Sequence, residues 1–269
     1  ACSKAHTLRC KYDGRLFELS GKFISMPEFK EVINFPCEDD NLPSLPLFEW
    51  GNLLFTSLQP AQNSNVYFQE MMERLNWLPI HEFTHRPDLS KTFEMDANWA
   101  LYCENYLEGF HIPFVHSGLN SIIDYGNYST ELFRYSNLQL GIAKDSEMSF
   151  DIPKSSPDYG KKIAGYYFWV FPNMMFNFYP WGLSVNIVRP VGLSKTKVSF
   201  LIYVWDESKL RQGAGADLHG VEMEDEDVVQ HVQKGIRSRF YKHGRYSVTR
   251  ETGTHHFHGL IAEFMNKAK

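Results

Sequence analysis

Between residues 133 and 205 the chain runs through four stretches dense in aromatic and β-branched residues. They are Phe133 to Phe150, Tyr166 to Phe178, Leu183 to Pro190 and Lys197 to Trp205. Such composition suits extended, packed backbone, and the four read as strands of an antiparallel sheet. Around them the periodicity changes. Val66 to Leu75 has helical spacing, and Phe93 to Asn98 looks like a strand. Trp99 to Phe110 places Trp99, Cys103, Tyr106, Leu107 and Phe110 on one side of a helix. Glu222 to Tyr241 is a second helix. A curved sheet gripping helices fits this order, so the main body, residues 61–269, is expected to be α+β.

Residues 1–60 read differently. Leu16 to Leu19 meets a Ser-Gly turn and returns through Lys22-Phe23-Ile24, a hairpin signal. A connection with Pro36, Pro43 and Pro46 follows, then a strand pair from Phe48 to Leu58 around Gly51-Asn52, closed by Pro60. This part is expected to be an all-β module.

At 269 residues the chain can bury a sizeable core without a covalent staple. Aromatics make up 15%, which suggests an apolar interior with room for a ring-lined pocket. Net charge is -5 and no basic stretch alternates with rings, so nucleic acid is not an expected partner. The apolar runs are too short to span a bilayer, and the first residues carry no signal-peptide core, so no membrane partner is expected. The cysteines at 2, 10, 37 and 103 form no CxxC pair. A disulfide framework is not expected, and a reducing cytoplasm is the expected compartment.

The chemistry concentrates in the phrase Glu104-Asn105-Tyr-Leu-Glu108-Gly-Phe-His111-Ile-Pro-Phe-Val-His116. Pro113 should end the helix near Ile112, leaving His111 on its last turn and His116 in a bent segment beyond. Two imidazoles can then point at one place. A third ligand can come from the acids that open the second helix, Glu222, Glu224, Asp225, Glu226 and Asp227, although acids at a helix start also simply complement its dipole. Asp225 shares a helical face with Val228, Val229 and Val232, whereas Asp227 projects away. Two His and one carboxylate on one face leave open positions for dioxygen and substrate. His81 and His85 could also pair, but Pro79 and Pro87 bracket them and no third ligand stands near. His255, His256 and His258 suit packing near the iron-site helix better than ligation, and Met174 and Met175 suit core or pocket.

Taken together, Asn98-Trp99-Ala-Leu with the His111 and His116 phrase resembles the catalytic-domain signature of Rieske non-haem iron oxygenase alpha subunits. Phe171-Pro172-Asn173, Asn177 to Ser184, Glu224-Asp225 before Gly235, Gly244 to Ser247, Glu251 and His256-Phe-His258 are similar to that family as well. The resemblance implies a helix-grip catalytic domain. It implies mononuclear iron(II) on His111, His116 and Asp225, with Glu224 and Asp227 as fallbacks. Glu108 matches the acid that links the iron to the cluster of a neighbouring subunit; the alternative is a charge on a helix surface. The resemblance further implies a small organic substrate, dioxygen, a ferredoxin or reductase as electron donor, and a homotrimer. Asn177 to Ser184 looks more like the choline and carnitine branch than the naphthalene branch.

The other half of that family is a Rieske domain whose [2Fe-2S] cluster needs two Cys and two His. Cys10 to Arg15 resembles its second ligand loop, with Asp13 where His is expected and Arg15 where Trp is usual. The first loop is absent, and Cys2 and His6 stand too close to Cys10 to replace it. Residues 1–60 are therefore a partial Rieske-like module in which Cys10 is a residual ligand position and no cluster is expected, through decay of the site, truncation or both. Two functions follow: an oxygenase that hydroxylates or demethylates its substrate, or a homologue that binds a small apolar ligand without turnover.

Overall fold

The computed structural model describes residues 4–267, so Cys2 lies outside the described residues. The chain forms two compact units, residues 1–49 with 53–60, and residues 50–52 with 61–269. In the first, β1 (Thr7–Arg9), β2 (Leu16–Glu18) and β3 (Phe23–Ser25) form a three-stranded antiparallel sheet. β4 (Leu47–Trp50) pairs with β5 (Leu53–Thr56). Its apolar content is a chain of rings: Phe17 meets Phe23 edge-on at 6.1 Å, Phe23 meets Phe35 at 5.0 Å and Phe29 meets Phe35 at 4.8 Å.

The second unit opens with α1 (Asn65–Arg74), β6 (Thr84–His85) and β7 (Lys91–Met95). Then come α2 (Trp99–Tyr106), α3 (Ile112–Val115) and α4 (Ser117–Ile122). β8 (Ser129–Leu132), β9 (Ser136–Ile142), β10 (Ile163–Val170), β11 (Met174–Tyr179), β12 (Gly182–Gly192) and β13 (Lys195–Val204) follow. α5 (Leu218–Gly235) and α6 (Thr252–Lys267) close the chain. The sheet runs β6-β13-β12-β11-β10-β9-β8, with β7 also on β13, and its pairings are antiparallel. Every residue of β10 is buried, because the sheet is covered on both faces at its centre. On one face Trp169, Met175, Val188, Val198 and Phe200 pack against Leu101, Cys103 and Leu107 of the α2 segment, Val229 of α5 and Phe257 and Leu260 of α6. This is the α+β body expected from the alternation of segments.

Several expectations shift. Tyr166 to Phe178 is two strands, not one: the chain turns at Phe171-Pro172-Asn173, and Tyr166 pairs back onto Phe178. Aromatic density hid the turn, although Pro and Asn are ordinary turn residues. Of Phe133 to Phe150, only Ser136–Ile142 is strand. α5 starts four residues early because the Asp217 side chain accepts the Gly220 amide at 2.8 Å. It stops at Gly235, so Ile236 to Tyr241 is not helix. Its buried face is Glu222, Glu226, Val229 and Gln233, whereas Val232 is 43% exposed. α6 carries the three C-terminal histidines. Its apolar residues Phe257, Leu260, Ile261 and Phe264 follow helical spacing.

Candidate metal centre

Asn98 starts α2 by accepting the Ala100 amide at 3.0 Å. The helix ends at Tyr106, and Gly109 follows where an added Cβ would sit 2.6 Å from the Tyr128 ring. Only glycine permits that approach, which bends the chain toward the cavity. Pro113 does not end a helix here. It lies in the first turn of α3, where its missing N–H costs nothing, and His111 is the residue before that helix. His116 stands between α3 and α4 and is 1% exposed.

The two imidazoles meet. His111 Nε2 lies 3.1 Å from His116 Nε2, and Asp225 Oδ1 lies 3.0 Å from His116 Nε2 and 3.6 Å from His111 Nε2. Asn105 Nδ2 donates to the same Asp225 oxygen at 2.6 Å. Among the described residues, these three form the one group of three or more His, Cys, Asp or Glu able to surround an ion. The other ring nitrogens are occupied. His111 Nδ1 is 2.5 Å from Glu108 Oε1, and His116 Nδ1 is 2.7 Å from Glu224 Oε2. With each Nδ1–H donated to a carboxylate, both Nε2 atoms present lone pairs to each other and to a carboxylate oxygen. Three acceptors at this spacing repel unless a cation or a proton lies among them. The residues present therefore fit a divalent metal, and the carboxylate behind each His is the arrangement that sets the tautomer of a ligand imidazole. Burial opposes charge on His116, but hydrogen bonds that its ring donates to Asp225 and Glu224 outweigh it and hold its pKa above the ordinary histidine value.

Glu108 is not a surface charge. Its side chain is 11% exposed, and Oε2 also accepts the amides of Phe110 and His111. Glu224, held above as a fallback ligand, braces His116 from outside instead. Asp227 is exposed and faces His231 at 3.4 Å. His81 is exposed with only Glu82 near it, and His85 packs on Tyr203. His258 pairs with Glu104 on α2 at 2.8 Å, as expected of packing near that helix, whereas His256 packs beside Trp169 of β10.

A cavity of about 110 Å³ opens beside the triad. Tyr106, Tyr128, Tyr167, Tyr179 and Phe200 line it, with Glu108, Glu222 and Asp225 as its acids and no Lys or Arg. Aromatic content suggests a ring-lined pocket without naming which rings form it. Glu222 is 3% exposed and accepts the Tyr102 hydroxyl at 2.7 Å. Burial, reinforced by Asp225 and Glu226, raises its carboxyl well above the usual range. A carboxyl raised on folding contributes stability that is fully present below the unfolded pKa of about 4.3 and fades as pH climbs toward the folded value. Thermal melts of the chelator-treated protein should therefore show Glu222→Gln matching wild type near pH 4.5 and exceeding it increasingly toward pH 8. Parallel curves would remove the assignment.

In the first unit Cys10 sits in a turn. Its amide donates to Arg15 O at 2.8 Å, Gly14 adopts φ +75°, and the Arg15 amide donates to Asp13 Oδ1 at 3.1 Å. Hydrogen bonds from the Cys10 thiol and the Arg15 amide hold the Asp13 carboxyl below its usual value. The loop shape is kept while Asp13 serves the turn. The described residues around Cys10 do not fit a [2Fe-2S] cluster, which needs two Cys and two His.

Against known proteins, the family model for the ring hydroxylating alpha subunit (catalytic domain) matches residues 76–267. Choline monooxygenase of Arabidopsis thaliana is 30% identical over 94% of this chain and 62% of its own length. The carnitine monooxygenase oxygenase subunit of Escherichia coli (strain K12) is 27% identical over 96% of this chain and 71% of its own. The chain thus spans about three fifths of the length of the choline monooxygenases it matches. In fold it is similar to a quaternary ammonium Rieske monooxygenase, with TM-score 0.78, 24% identity, and coverage of 97% of this chain and 73% of that one. It is also similar to naphthalene 1,2-dioxygenase, with TM-score 0.62, 15% identity and coverage of 95% and 72%. These relatives agree with the resemblance read from the His111 and His116 phrase and with its lean toward the choline and carnitine branch. The chain belongs to the ring-hydroxylating alpha-subunit family, through its catalytic domain.

Proposed function

We propose that this chain is the catalytic part of an oxygenase that holds one iron(II) on His111, His116 and Asp225 and oxidises a small alkylammonium compound. One observation carries the reading: two Nε2 atoms 3.1 Å apart, each backed by a carboxylate on Nδ1, with Asp225 closing the third side. Iron(II) in such a donor set supplies dioxygen activation. The chain's own residues do the rest. Glu108 and Glu224 hold the Nδ1 protons and so aim both Nε2 lone pairs. Asn105 fixes Asp225. The tyrosine rings exclude water and offer π-faces to a cation, and no Lys or Arg lines the cavity to oppose that charge. The relatives named for choline and carnitine fit that chemistry.

Residues 1–60 fit a Rieske-like module and residues 61–269 the catalytic domain, close to the two compact units. The electron donor would be a ferredoxin or reductase. A reading without turnover draws support from the Cys10 to Asp13 loop alone. Iron-loaded protein, chemically reduced and given dioxygen with choline or carnitine, should form one round of oxidised product; retained iron with no product would favour the binding reading. Phe110 and Phe114 beside His111 are 40% and 86% exposed, which supports an interface there, and the homotrimer implied by the family resemblance is the assembly we propose. Light scattering should give three chains, and a monodisperse monomer would reject it.

A further inference from the structure

Four buried polar residues cross the centre of the sheet in one straight row. Gln139 of β9 lies opposite Tyr167 of β10, Tyr167 opposite Asn177 of β11, and Asn177 opposite Ser184 of β12. Their exposures are 1%, 8%, 5% and 0%, and all four line the cavity beside the triad. Burying such groups is unfavourable unless each finds a partner. Two have one: Asn177 Oδ1 accepts the Tyr106 hydroxyl at 2.8 Å, and Ser184 Oγ donates to Asn186 Oδ1 at 2.9 Å.

One acceptor does not. Gln139 Oε1 is buried and has no hydrogen-bond partner among the described residues, whereas the Tyr167 hydroxyl faces that of Tyr179. The orientation of the Gln139 amide is settled by its other end. Its nitrogen lies 2.6 Å from Tyr106 O, a backbone carbonyl that can only accept. The unpaired end of Gln139 is therefore the carbonyl, an acceptor in a residue that lines the cavity. The neighbouring Tyr167 ring lies over Gly165 and Gly141, where an added Cβ would come within 2.6 and 2.9 Å of it.

We infer that Gln139 is a specificity-determining residue whose side-chain carbonyl accepts a hydrogen bond from a hydroxyl or N–H group of the substrate, with the Tyr167 hydroxyl beside it. The inference rests on the reading of this cavity as the substrate site and deepens it. A carboxylate has no proton to donate and is repelled by the Gln139 carbonyl, so the substrate presents a donor at this end. Its cationic end lies against the tyrosine faces. A substrate lacking the donor leaves Gln139 Oε1 stripped of water and unpaired, which is how a polar site rejects an apolar isostere.

Calorimetry on the full chain tests this with two compounds of one size and charge: choline, and propyltrimethylammonium, in which a methyl replaces the hydroxyl. Choline should bind wild type at least about tenfold more tightly, the scale expected for an unpaired buried acceptor. In Gln139→Met the two affinities should converge. The wild-type comparison stands even if that variant fails to fold. Equal affinities in wild type would overturn the inference and point to a water bridging Gln139 and Tyr167. Binding of neither compound would overturn it together with the alkylammonium assignment. Iron content, measured on the same sample, reports separately on the metal centre.

Discussion

His116→Ala should yield a folded protein that retains less than about a hundredth of the wild-type iron affinity. Removing a group that merely orients a metal ligand costs about 10–100-fold in affinity, so removing a ligand should cost more. His116 is the most enclosed member of the triad and touches both other members as well as Glu224. His111→Ala should act in the same direction, and it also frees Glu108, which keeps the Phe110 amide. Circular dichroism should show both variants folded, because neither residue belongs to the main apolar cluster. Glu108→Gln and Glu224→Gln should each fall between wild type and the ligand variants, since they leave Nε2 in place. Unchanged iron occupancy in both alanine variants would remove the metal assignment.

Asp225→Asn should lose most bound iron, while Asp227→Asn should bind as wild type does. The two residues are two positions apart on α5, which turns them to different sides of the helix. Asp225 Oδ1 stands 3.0 Å from His116 Nε2, and Asp227 faces solvent and His231. Asparagine keeps the shape of Asp225 but removes the charge that offsets the cation, and Asp225→Ala should be more severe. Asp225→Asn should also lower the His116 pKa, because the carboxylate is one of the two groups that hold it up. Iron retained equally by the Asp225 and Asp227 variants would contradict the geometry.

His111 and His116 stand out because they sit in a dense phrase whose spacing and family likeness point the same way, whereas Asp225 comes from a separate helix. The reason given for Asp225 was less sound than the residue. Val228, Val229 and Val232 were taken as the buried side of α5, yet Val232 is exposed and Glu222 and Glu226 are buried. Apolar periodicity cannot announce a helix that turns two acids inward to meet Tyr102 and a metal site. Aromatic content suggests a ring-lined pocket, but only the fold sets Tyr106, Tyr128, Tyr167 and Tyr179 around one space. Gln139 carries no signal in the sequence, and Asn177 stands out only as part of the family-like run Asn177 to Ser184. Their meaning lies in cross-strand register, which joins residues far apart in the chain. The role of Pro113 was misjudged because proline stops a helix from inside but starts one from its first turn. The start of α5 was missed because its Asp217 cap precedes a Gly-containing turn that looked like loop.

The most direct test is metal and sulfide analysis of the anaerobically purified protein, read with its electronic spectrum. The donor set of His111, His116 and Asp225 predicts about one iron per chain, no acid-labile sulfide and no cluster absorbance. Absence of iron after anaerobic loading would contradict the centre, and two further irons with sulfide would contradict the reading of Cys10 and Asp13.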